Sequence, residues 1–187
     1  GKLTVDNLGR SGAVTEFVSA VTFAGDIRIG SGAIVSNPVG QPLSLTVAGN
    51  LQVDANGRLD VSGRGHGSST GLGEGGDAVD AGGAGYGGRG GNGNTAGGGG
   101  TYGSLTEPAD LGSGGGRDTN VGAANGGAGG GALRLIVGGT LTNNGTIAAN
   151  GQSSPGNEAG AGSGGSLWIT TLTLAGTGVI QANGGTG

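Results

Sequence analysis

Cysteine and methionine are absent from this chain, so no disulfide, thiolate metal site or oxidisable sulfur enters its chemistry. Aromatic residues make up 3% of it, charged residues 11%, and there is a single histidine. The net charge of −4, with arginines scattered rather than clustered, lacks the basic patch that nucleic-acid binding needs. No apolar run approaches the roughly 18 residues of a membrane-spanning helix, and no stretch reads as a signal peptide. Nowhere does an i, i+3, i+4, i+7 apolar pattern hold for two turns, so no helix is expected.

What the chain has in excess is glycine, 53 of its 187 residues. Glycine at that level without a strict three-residue period points away from collagen and toward low complexity. Dense Val/Ile/Leu runs and a small net charge oppose disorder, which goes with low hydrophobicity and high net charge. The composition therefore describes a compact apolar scaffold carrying glycine-rich excursions.

The scaffold repeats. Leu43 to Gly63 reads LSLTVAGNLQVDANGRLDVSG, Leu133 to Gly151 reads LRLIVGGTLTNNGTIAANG, and Leu167 to Gly184 reads LWITTLTLAGTGVIQANG. Each unit opens with alternating apolar residues, turns at glycine, adds a second short run, turns again and closes on an apolar pair. Alternation of this kind, bounded by Gly or Asn, marks short strands. In the first unit Leu43, Leu45, Val47, Leu51, Val53, Leu59 and Val61 would face inward. Ser44, Thr46, Gln52, Asp54, Arg58 and Asp60 would face water. Gly49–Asn50 and Asn56–Gly57 mark the corners, where left-handed backbone costs least. Residues 1–42 carry the same pattern in degenerate form: Leu3, Val5 and Leu8, then AVTEFV from Ala13, then short runs at Val21, Ile27 and Ile34.

Leu43 and Leu133 lie 90 positions apart, and the glycine-rich insertion 64–131 takes 68 of them. A second insertion, 152–165, separates the last two units at the same corner. The repeat beneath is about 20 residues long, with insertions confined to one place. The expectation is an all-β fold: a right-handed parallel β-helix, or β-solenoid, of about five coils (1–20, 21–42, 43–63, 132–151 and 166–187), with glycine-rich loops at one corner. The whole of 1–187 would be one domain. A β-sandwich of short hairpins is the alternative, though it leaves the shared insertion corner unexplained.

Insertion 64–131 holds 29 glycines. It reads either as a flexible surface loop, because ordering glycine costs backbone entropy, or as packed extended strands that glycine allows to approach closely. Leu72, Val79, Tyr86, Tyr102, Leu105, Leu111 and Val121 recur along it as anchors and favour order. The chain ends NGGTG, which reads as the start of another excursion, so the expected last coil is left open for a neighbour or a further repeat.

The segments GGGALRLIVGGTLTNNGTIAANG and GSGGSLWITTLTLAGTGVIQANGG resemble the glycine-rich β-helical repeats of very large secreted or surface-exposed bacterial proteins. The resemblance covers 132–187 well, 43–63 fairly, and 1–42 in outline. It implies an adhesin, cell-surface or matrix role and an extracellular or cell-surface location. It brings no family catalytic residues with it.

The polar residues that could carry chemistry cluster in the long insertion: Arg64, His66, Glu74, Asp77, Asp80, Tyr86, Arg89, Tyr102, Arg117 and Asp118. A polysaccharide lyase would use Tyr or His as base beside Arg, and a glycoside hydrolase two carboxylates. Nearly all of these residues sit among glycines rather than on scaffold strands, where catalytic groups need rigid support. No catalytic residue and no cofactor is therefore assigned. Glu74, Asp77 and Asp80 are weak calcium ligands, matching neither the Gly-Gly-x-Gly-x-Asp repeat nor the helix-loop-helix spacing. Tyr86, Tyr102, Trp168 and Arg89 are the contact residues for a surface glycan or a partner. Thr140, Thr142, Thr171 and Thr173 would align on successive coils, a short array for ice binding, and Asn144-Gly145-Thr146 is a sequon best read as a corner turn. The function expected is a non-enzymatic extracellular structural or adhesive repeat protein, acting by coil stacking or axial self-assembly as filament, sheath or stalk. Its partners are further copies of itself or neighbouring repeats, then surface glycans. The alternative is a carbohydrate-binding or carbohydrate-degrading β-helix.

Overall fold

The computed structural model describes residues 1–6, 14–120, 124–156 and 158–187. Leu8, Ala13 and Val121, named above, lie outside the described residues. Among those described the secondary structure is all strand: β1 (Lys2–Val5), β2 (Val14–Glu16), β3 (Val21–Phe23), β4 (Asp26–Ile29), β5 (Ile34–Ser36), β6 (Leu43–Val47), β7 (Leu51–Val53), β8 (Arg58–Asp60), β9 (Ala132–Asn143), β10 (Thr146–Ala148), β11 (Ser166–Ala175) and β12 (Val179–Gln181). Every pairing between these strands is parallel.

The strands form two parallel sheets. One is curled and runs β1-β4-β7-β9-β6-β3, with β11 joining on β9. The other is flat and runs β12-β10-β8-β5-β2. This corrects the expectation of a single β-solenoid of about five coils. The first unit does break into separate strands, β6 and β7, at Ala48–Asn50. In the next unit the same corner, Gly138–Gly139, stays within one twelve-residue strand, β9. β9 pairs with β6 along its first half and β7 along its second, and β11 follows it around the bend with a register shift between Thr171 and Thr173. The corner residues there bend a continuous strand instead of ending one.

Alternation decides which side chains enter the core. In β6 the residues read buried, half-buried, buried, half-buried, buried, as a pleated strand with one apolar face should. Parallel register then stacks like on like: Leu43 beside Leu133, Leu45 beside Leu135, Val47 beside Val137, Leu51 beside Leu141, and Leu59 beside Ile147. All of these are essentially inaccessible to solvent and form one apolar cluster between the sheets. Burying a side chain of this size contributes about 1.5–3 kcal/mol. Asn56, at its corner, takes the left-handed conformation (φ 64°).

Asn143 enters the same interior position as Val53 and is buried. Its amide donates to the Val179 carbonyl at 3.1 Å and its oxygen accepts from Gly145 N–H, so both polar ends are satisfied as burial requires.

The glycine-rich insertions are a third structural layer. Segment 112–116 hydrogen-bonds through its backbone to 66–70 (His66 N–H to Gly112 O, 2.9 Å), to 75–82 (Gly116 N–H to Gly82 O, 2.9 Å), to 127–130 (Gly115 N–H to Gly127 O, 2.9 Å) and to 160–163 (Gly160 N–H to Gly116 O, 2.9 Å). A strand in a sheet points its amides in two opposite directions and pairs on two sides only. Bonding on more sides requires the chain to turn as it advances, as a polyproline-II-like chain does. Such packing is open only to residues without side chains at the contacts. A Cβ on Gly114 would lie 1.8 Å from Gly67 O. Of the anticipated apolar anchors, Leu72, Val79 and Leu105 are exposed; backbone hydrogen bonds hold the layer.

Candidate functional site

The two tyrosines of the long insertion face each other. Their ring centroids are 4.8 Å apart at 75°, an edge-to-face pair of the kind aromatic quadrupoles favour. The Tyr102 hydroxyl donates to the Leu111 carbonyl and lies 2.8 Å from Ser113 Oγ. The Tyr86 hydroxyl is buried without a well-formed hydrogen bond. Ser166 and the Asp110 backbone lie beside it, and the Ser166 hydroxyl donates to the Asp110 carbonyl at 2.9 Å. Burial raises the pKa of both phenols above the usual tyrosine range. Both rings are half-buried and serve the layer's own packing.

Trp168 is half-buried as well. It pairs in register with Arg134, whose guanidinium lies 4.6 Å from the indole centroid, within cation–π range. Its flanking residues Leu167 and Ile169 pack against the core. Arg89 is exposed, three positions beyond Tyr86, and lines a hollow together with it. The four residues anticipated as one contact surface thus divide into a packed tyrosine pair, whose Tyr86 adjoins the exposed Arg89, and a tryptophan covered by Arg134.

The acidic candidates are also separate. Asp77 accepts from Ser69 Oγ and from Arg117 N–H, and these bonds, the Ser69 hydroxyl first, hold its carboxyl below the usual range. Asp80 is held through its backbone, which donates to Thr95 Oγ1 at 2.9 Å. Glu74 is exposed. No group of three or more His, Asp or Glu side chains that could hold a metal ion occurs among the described residues. Of the catalytic candidates, Arg64 pairs with Glu16 at 3.1 Å, Asp118 is buried and accepts from Asn120 N–H, and His66 is half-buried. The threonine array is offset: Thr173 aligns with Thr140, but Thr171 aligns with Val137 and Thr142 with Ala175.

The open end expected from the sequence corresponds to the outer face of the last strands, whose exposed residues the sequence did not single out. β11 pairs only with β9 and β12 only with β10 among the described residues. Leu174 stands in register with Leu141, and Ile180 with Ile147. The inner members of these pairs are 0% exposed, whereas Leu174 is 58% and Ile180 39% exposed. Their positions are those of core residues, and no strand among the described residues lies against them. The polar rails continue to the same face. Ser62 Oγ accepts from Asn150 N–H at 3.0 Å, and Asn150 Oδ1 accepts from Asn183 N–H at 2.8 Å. The signal for this ladder was in the sequence, since Asn150 and Asn183 occupy equivalent places in the ANG corners of two units. At the opposite face β1, β2 and β3 each pair on one side, with Leu3 and Val14 exposed.

No protein-family model, curated protein or solved structure matches this chain.

Proposed function

We propose that the protein is a non-enzymatic structural or adhesive element, working outside the cell or at its surface, that assembles end to end through the open edges of its two parallel sheets. The observation that carries this reading is the pair Leu174 and Ile180, core residues by register and surface residues by position. Unpaired edges with apolar flanks template further pairing. All strands run parallel, so the β11–β12 face of one copy meets the β1–β2–β3 face of the next with strand direction preserved. Contact between two different faces is head-to-tail and extends without closing. The aromatic side chains are engaged within the chain, so this reading does not draw on them as a glycan platform.

Light scattering across a concentration series, with negative-stain electron microscopy, tests the proposal. Native protein should form filaments one subunit wide, and Leu174→Lys with Ile180→Lys should leave folded monomers. A native chain that stays monomeric at every concentration would refute end-to-end assembly.

A further inference from the structure

The two tyrosines of the long insertion are the only two in the chain, and the glycine layer sets them side by side. Tyr102 N–H donates to the Tyr86 carbonyl at 2.9 Å, so the rings leave directly bonded segments and meet edge to face at 4.8 Å. Glycine flanks both: Tyr86 lies between Gly85 and Gly87–Gly88, and Gly103 follows Tyr102. An ortho carbon of each ring abuts a glycine rather than a side chain. A Cβ on Gly103 would lie 2.8 Å from Tyr86 Cε2, and one on Gly73 would lie 2.8 Å from Tyr102 Cε1. No well-formed hydrogen bond holds the Tyr86 hydroxyl, so nothing polar restrains that ring from turning toward its partner.

Packing alone does not call for this pair. Phenylalanine at 86 would fill the same space without burying an unpaired hydroxyl, which costs free energy. What a phenol adds to a phenyl ring is one-electron redox chemistry, and the rest of the chain leaves that chemistry to the pair. No cysteine or methionine is present to be oxidised first. The single tryptophan, Trp168, carries the Arg134 guanidinium 4.6 Å from its ring centroid, and a positive charge so close opposes removal of an electron from the indole.

We propose that Tyr86 and Tyr102 are the site of an intrachain dityrosine cross-link, made by a one-electron oxidant of the haem-peroxidase class with hydrogen peroxide as terminal oxidant. Each phenol gives one electron to the oxidant and one proton to water, leaving two phenoxyl radicals with unpaired density on their ortho carbons. Those two carbons join, and each ortho hydrogen then moves to the oxygen of its own ring, restoring two phenols. The two electrons and two protons released reduce one peroxide to two waters. Radicals held in contact couple within the chain before two chains meet, because proximity makes the step effectively unimolecular. The bond closes the loop between 86 and 102 and staples the glycine layer. It stabilises as a disulfide does, by removing conformations from the unfolded chain. The inference goes beyond end-to-end assembly and does not depend on it.

The test treats dilute, folded full chain with hydrogen peroxide and a haem peroxidase. A parallel sample receives photo-activated ruthenium tris-bipyridine with persulfate, a small oxidant that needs no docking. Trypsin cleavage at Arg64, Arg89 and Arg117 then puts Tyr86 on peptide 65–89 and Tyr102 on peptide 90–117. Mass spectrometry should find these two peptides joined, with two hydrogens fewer than their sum, in a product that shows dityrosine fluorescence. Tyr86→Phe and Tyr102→Phe should each abolish the joined pair while circular dichroism shows the fold retained. Oxidation in urea should give severalfold less of it, and the cross-linked chain should unfold at higher urea than the untreated one. The Leu174→Lys, Ile180→Lys chain should give the native yield, which separates the cross-link from assembly. Absence of the joined peptides with both oxidants, or cross-links between chains only, overturns the proposal. Equal yield from folded and urea-unfolded chain also overturns it, since contact in the fold would then play no part.

Discussion

Gly115→Ala is the sharpest test of the glycine layer. The added methyl carbon would sit 2.1 Å from Gly160 O and 2.3 Å from Gly160 C. Carbon contacts relax near 3.5 Å, so segments 112–116 and 160–163 must part by about 1 Å. That movement breaks the Gly160 N–H to Gly116 O bond and strains the Gly127 N–H to Gly160 O bond, now 2.9 and 2.8 Å. Leaving buried peptide groups unpaired costs about 1–3 kcal/mol each, so a loss of about 3–5 kcal/mol is expected. Against a typical domain stability of about 5–15 kcal/mol, this is a large fraction. Gly91→Ala is the matched control: its methyl meets nothing within 4 Å and its φ is not positive, so it should change stability by less than about 1 kcal/mol, in the stabilising direction. Urea unfolding followed by Trp168 fluorescence, this being the one tryptophan, measures both. If the two variants unfold within about 0.5 kcal/mol of each other, the close-packed layer is wrong.

The tyrosine pair and one carboxylate supply two further tests. Tyr102→Phe removes the bonds to Leu111 O and Ser113 Oγ and should cost about 1–2 kcal/mol, whereas Tyr86→Phe removes a buried hydroxyl with no well-formed bond and should be neutral or stabilising; thermal unfolding of the two single variants decides. Asp77 has a folded-state pKa below its unfolded one, so its contribution is present above the unfolded value near ~3.9 and is lost as pH falls through the folded value. Asp77→Asn should flatten that acid limb in a plot of urea midpoint against pH, and an unchanged limb would show that the Ser69 and Arg117 contacts do not matter to folding.

Much of the scaffold was legible along the chain because its determinants are local. Alternation at Leu43, Leu45 and Val47 needs only the two-residue strand period to declare a buried face, and Asn56–Gly57 needs only backbone sterics to declare a corner. The all-β class and the parallel stacking of like residues follow from unit-to-unit repetition of those patterns. The division into two sheets was not legible, because Gly138–Gly139 reads like the corner at Gly49–Asn50. Whether glycine ends a strand or bends it depends on the pairing partner, and here β11 tracks β9 around the bend. The candidate site was less legible still. Trp168 looked like a surface residue because strand parity says which way a side chain leaves the backbone, not what covers it, and Tyr86 and Tyr102 did because they interrupt a glycine-rich insertion.

Composition and periodicity alone determined that this protein is built from apolar strands, with no disulfide and, among the described residues, no helix, and carries glycine at its close approaches. Only the tertiary structure decided that the glycine segments bond on several sides into a layer, that Leu174 and Ile180 are core residues left at the surface, and that Arg134 covers Trp168. The physical reason is that all three are relations between units far apart in the chain. A residue carries its own conformational preferences in the sequence, but its neighbours in space are assigned only when the units stack.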